Sequence, residues 1–88
     1  MSRYLILSPH TKEDCLKALD EVLAKGASVL NKFEWGCMAG DHTGYAIVDA
    51  ENEVKARDII PASLRAKARV VQLGKFTPEQ IRSFHKAA

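Results

Sequence analysis

Two strand-to-helix turns, one on each side of a hairpin, constrain this chain more than any other feature. Tyr4-Leu5-Ile6-Leu7-Ser8 is a short apolar run suited to a buried strand, and Pro9 stops it. Thr11-Lys12-Glu13-Asp14 follows at once with the pattern of a capping box, Thr11 standing where it accepts from the Asp14 amide. Leu16, Leu19 and Leu23, with Cys15 and Val22 beside them, then recur at helical spacing until Gly26 supplies a stop. Further on, Lys32 to Ala39 reads as a second strand with Phe33, Trp35, Cys37 and Ala39 on one face. Gly40-Asp41 reads as a two-residue turn, and Thr43 to Ala50 returns as a third strand. Glu53 to Ile60 predicts a short helix ended by Pro61, and Ala68 to Phe76 a fourth strand. Thr77-Pro78-Glu79-Gln80 is a second capping signature and opens a last helix to about His85.

That order predicts the α+β class. Hairpin adjacency and right-handed crossovers reduce it to a ferredoxin-like βαββαβ plait, an antiparallel four-stranded sheet with an extra short C-terminal helix. With 88 residues there is one domain, 1–88, and a thin core that buries about 60–65% of the unfolded surface. In the plait one sheet face lies under two helices and the other is bare. Tyr4, Ile6, Tyr45, Ile47 and Val70 are the expected bare-face residues, an apolar area that a second copy of the chain would cover. A homodimer through the open sheet face is therefore expected.

A net charge of +2 gives no argument for a nucleic-acid partner, and no apolar run approaches the length of a membrane span. Without a visible signal peptide, the expected location is cytoplasmic, where the two cysteines stay reduced. No Gly-rich phosphate loop or Ser-His-Asp pattern is present, so no reaction can be assigned from motifs.

The topology gathers chemistry-bearing residues at one edge. His10 lies in the first strand-to-helix turn, Cys15 in the first helical turn, and Cys37, Asp41 and His42 around the hairpin. A two-residue turn at Gly40-Asp41 sets Cys37 opposite Gly44, making Cys37 and His42 diagonal neighbours. Two thiols and two imidazoles match a tetrahedral zinc ion, so His10, Cys15, Cys37 and His42 are the candidate metal ligands and zinc the candidate cofactor. Trp35 and Tyr45, with Asp41, are the candidate walls of a small-molecule pocket beside them. Two other readings stand: a nucleophilic thiol with a histidine base, and cysteines buried simply as small hydrophobes. Arg65, Lys67 and Arg69 form a basic cluster, read either as an anion site or as a solvated loop.

Two family resemblances point in different directions. Thr43-Gly44-Tyr45-Ala46-Ile47-Val48-Asp49-Ala50 resembles the third-strand motif of RNA-recognition-motif domains, which implies base stacking on Tyr45 and, from the first strand, Tyr4. Thr43 stands where that motif is basic, and Ile47 and Ala50 where it is aromatic. The whole-chain pattern is more similar to the small dimeric α+β-barrel proteins, including the group named for a Gly-Tyr-Asp motif. Gly44-Tyr45 begins the third strand in the same way, and Phe76-Thr77 closes the last one. Ala46 replaces that motif's Asp. This resemblance implies two sheets packed face to face around a cleft that binds a small molecule, and it names no substrate.

Overall fold

The computed structural model describes residues 1–87. Its elements run β1 (Ser2–Pro9), α1 (Cys15–Ala24), α2 (Ala27–Leu30), β2 (Phe33–Trp35), a 3₁₀ turn (Cys37–Ala39), β3 (Thr43–Ala50), α3 (Glu53–Arg57), α4 (Ala62–Arg65), β4 (Arg69–Leu73) and α5 (Pro78–Ala87). The four strands form one antiparallel sheet in the order β2-β3-β1-β4, the ferredoxin-like plait with an added C-terminal helix.

Register decides which residues meet the helices. Tyr4 pairs with Val48, Ile6 with Ala46 and Ser8 with Gly44, so these six share one face. Ile6 is fully buried, as are Ile60 and, on α1, Val22. Three of the five residues expected on the bare face are therefore on the other side. Tyr45 and Ile47 lie on the bare face, but Tyr4, Ile6 and Val70 lie on the helix-covered side. Leu5, Leu7, Val71 and Leu73 take their places. The cause is that β1 is apolar at four successive positions, so its own alternation carries no phase. Its phase comes from β3, whose Ala46, Val48 and Ala50 are small enough to lie under packed helices.

The helix faces shift in a similar way. Ala18 and Val22 are the buried residues of α1, whereas Leu16 and Leu23, expected inward, are exposed. Thr11 does accept from the Asp14 amide, at 3.2 Å, but in a turn just ahead of α1. The helix predicted over 53–60 stops at Arg57, and a separate short helix, α4, follows directly after Pro61. Arg57 ties this region together by donating to the carbonyls of Arg65 and Ala68. The fourth strand is shorter than predicted, and α2 was not predicted.

The second capping signature is complete: the Thr77 amide donates to Gln80 Oε1 and the Gln80 amide to Thr77 Oγ1. Among the described residues, α5 packs extensively against no other element. It leaves Phe76, Ile81 and Phe84 exposed, with Phe76 and Phe84 in edge-to-face contact. The radius of gyration of 16.0 Å, against about 12 Å for a compact chain of this length, reflects a helix that projects from the body. Among the described residues, no helix is long and apolar enough to cross a membrane.

Candidate metal centre

Gly36 breaks the second strand and builds the site. The predicted strand over 32–39 ends at Trp35, because the Gly36 carbonyl accepts from the amides of both Ala39 and Asp41. A side chain at Gly36 would press on the backbone, since a Cβ there would lie 2.7 Å from the Asp41 carbonyl oxygen. The chain turns through Cys37–Ala39 and leaves by Gly40 in the left-handed region at φ 90°, which suits glycine. The Gly36 amide donates to the Thr43 carbonyl, so the connection is a closed loop over 36–43 and not a two-residue hairpin turn. Cys37 therefore does not face Gly44 across a ladder; Trp35 does.

The loop nevertheless brings the expected donors together. The His10 amide donates to the His42 carbonyl at 2.9 Å, which extends the β1–β3 pairing by one bond and holds the two histidines side by side. Their rings meet edge-on with centroids 5.5 Å apart. Cys15 is the first residue of α1, and Cys37 opens the 3₁₀ turn with its Sγ 3.4 Å from His10 Nε2. One donor atom from each of His10, Cys15, Cys37 and His42 lies within 4.8 Å of all the others. All four side chains are half-buried.

These distances fit a tetrahedral ion. With zinc–sulfur bonds near 2.3 Å and zinc–nitrogen bonds near 2.0–2.1 Å, the donors of such a site lie about 3.3–3.8 Å apart. The 4.8 Å limit on the observed separations exceeds those values by about 1.0–1.5 Å, so the donors must draw together around an ion. Two thiolates cancel the charge of a divalent cation, which lowers the cost of placing it in a half-buried site. The imidazoles carry a second sign of incompleteness: His10 Nδ1 and His42 Nδ1 are buried without a hydrogen-bond partner. Coordination through Nδ1 would supply His42 with one.

Burial, and secondly the neighbouring His42, push His10 below the usual imidazole pKa. Burial, and then the hydrogen bond with Cys15, push the Cys37 thiol up. Both shifts favour a neutral His10 ring and a protonated Cys37 thiol in the metal-free site, and a cation bound by Cys37 must displace that thiol's proton.

Asp41 props the loop from outside. It accepts from Thr43 Oγ1 at 2.8 Å and from the Tyr45 hydroxyl, and these bonds hold its carboxyl below the usual range. The same contact raises the Tyr45 hydroxyl. Trp35 and Tyr45, read from the sequence as walls of one pocket, stand on opposite faces of the sheet. Trp35 lies over Gly44, with its ring centroid 6.1 Å from that of His10. Tyr45 lines an open hollow of about 390 Å³ on the bare face with Leu5, Asn31, Lys32, Glu34 and Ile47.

Two residues of the basic cluster are placed by the backbone around them. Arg65 donates to the carbonyls of Ile60 and Asp58, and Arg69 pairs with Leu7 on the bare face. Tyr4 is buried under the helices and offers no stacking surface beside Tyr45. Sequence reading passed over Gly36 and placed Gly44 opposite Cys37, whereas the structure sets it under Trp35. It also passed over a spacing that marks the site: His10 precedes Cys15 by five positions, and Cys37 precedes His42 by five. No protein-family model, curated protein or solved structure matches the chain.

Proposed function

We propose that this chain is a small metal-binding protein that holds one zinc ion through His10, Cys15, Cys37 and His42. The observation that carries the reading is the convergence of four soft and borderline donors, from four separate positions in the fold, to within 4.8 Å. Four protein ligands fill a tetrahedral zinc shell and leave no open position for substrate, so the ion's role is to join the strand-to-helix turn to the 36–43 loop. The reduced thiols such a site requires fit a cytoplasmic setting.

The test is elemental analysis of protein purified without chelator or a metal-binding tag, alongside a count of reactive thiols. About one zinc per chain is expected, with both thiols protected until the metal is stripped. Metal-free protein with two freely reactive thiols, failing to take up added zinc, would overturn the reading.

A homodimer through the open sheet face accompanies this proposal. Leu5, Leu7, Ile47, Val71 and Leu73 make one uncovered apolar surface, with Leu5 between Val71 and Ile47 and Ile47 51% exposed. A two-fold pairing would also enclose the Tyr45 hollow as a cleft for a small molecule, the arrangement of the α+β-barrel proteins that the chain resembles. Ile47→Asp sets a carboxylate beside Leu5 on that surface and is expected to shift the mass measured by light scattering from dimer to monomer. A variant that keeps the dimer mass would remove the sheet from the interface.

A further inference from the structure

We propose that Cys15 and Cys37 are also a reversible oxidation site, joined as an intramolecular disulfide when a small disulfide such as oxidised glutathione meets the metal-free protein. The geometry is that of a dithiol. The two sulfurs lie within 4.8 Å, on the first residue of a helix and at the start of a three-residue turn. Closing that gap to a bond of about 2.05 Å requires side-chain rotation and a small shift of the 36–43 loop. Both sulfurs are half-buried, which leaves a path for a small reagent.

Cys37 Sγ lies 3.4 Å from His10 Nε2, a contact that orients the thiol, and its proton leaves to solvent before the exchange. The Cys37 thiolate attacks one sulfur of the small disulfide, and its partner sulfur leaves as a thiolate that takes up a proton. Cys15, its own proton lost, then attacks Cys37 Sγ. This step forms the Cys15–Cys37 bond and expels the second small thiol. Two cysteine thiols have together lost two electrons and two protons, and one small disulfide has become two thiols. An excess of small thiol runs the same steps backwards.

Zinc and the disulfide compete for the same sulfurs, and only this competition rests on the metal reading proposed above. The experiment treats chelator-stripped and zinc-reconstituted protein with oxidised glutathione, blocks remaining thiols and maps the products by mass spectrometry without reduction. The expected result is a monomeric Cys15–Cys37 cross-link in the stripped protein, reversed by dithiothreitol and formed at least 10-fold more slowly with zinc. A product bearing only glutathione adducts, or linked only between chains, would overturn the oxidation site whether or not zinc binds. A cross-link that forms at the same rate with added zinc supports the oxidation site and counts against the metal centre. Cys15→Ser is expected to stop at a Cys37 glutathione adduct, and a Cys15→Ser protein that remained unmodified would overturn Cys37 as the attacking thiol.

Discussion

Replacing Cys37 with serine is expected to reduce bound zinc from about one ion per chain to less than about a tenth, with affinity at least about 100-fold weaker. Serine keeps the size of cysteine but not the sulfur, so the change isolates ligation from packing. The same variant should lose most of the stability that the metal provides. A ligand held only by the folded state adds about 4 kcal/mol when its free concentration is 1,000 times its dissociation constant. That is a large share of the roughly 5–15 kcal/mol that holds a typical domain together. The share is larger here, because full burial is confined to a few residues of modest size, led by Ile6, Ile60 and Val22. Denaturation should therefore separate wild type from Cys37→Ser in the presence of zinc and bring the two together when a chelator is added. Met38 supplies the control. It occupies the same turn but is fully exposed, so Met38→Ala should leave metal content and midpoint unchanged. A serine variant that keeps its zinc would show that the thiol is no ligand. A gap between the midpoints that survives chelation would show that Cys37 contributes packing alone.

What could be read from the sequence followed the strength of local signals. Strand order and sheet polarity came through because capping residues and Pro9 fix where elements change direction, and connection rules then leave few topologies. The phase of β1 did not come through, since Tyr4-Leu5-Ile6-Leu7 is apolar at every step and only pairing with β3 decides which side faces the helices. The exposure of Leu16 and Leu23 was hidden for a related reason. A helix with apolar residues over more than one stripe can rotate, and here the small Ala18 permits closer packing than a leucine would. The four clustered donors were legible as a set, because topology alone brings the first strand-to-helix turn to the end of the sheet where the hairpin lies. The path between Cys37 and His42 was not. It depends on Gly36 ending the ladder after Trp35, and a glycine within a strand pattern signals a break without telling its shape.

Gly44 offers the sharpest test of how the sheet supports the site. A Cβ built on it would lie 2.8 Å from Trp35 Cζ3 and 3.1 Å from both Cε3 and Cη2, so the indole ring rests on the bare backbone of β3. The Gly44 backbone does not adopt the left-handed region, and alanine would enter without dihedral strain. By limiting the unfolded chain it would even favour folding by about 0.4–1 kcal/mol. The collision opposes this gain. The ring, in contact with Phe33 at 5.5 Å between centroids and with His10 at 6.1 Å, must shift to admit the methyl group, and overpacking of that kind costs about 1–3 kcal/mol. Gly44→Ala is therefore expected to destabilise the chain and, because the displaced ring leans on His10, to weaken zinc binding as well. Trp35 is the only tryptophan, so its fluorescence reports the displacement separately from stability. Gly40→Ala is the counterpart with the opposite cause. It meets no atom within 4 Å but must hold φ at 90°, so it should cost about 1–2 kcal/mol while leaving the tryptophan emission of the folded state unchanged. If Gly44→Ala instead kept the wild-type emission and midpoint, the indole would not rest on β3. The packing assigned to His10 would fall with it, and zinc affinity would then have to be explained by the 36–43 loop alone.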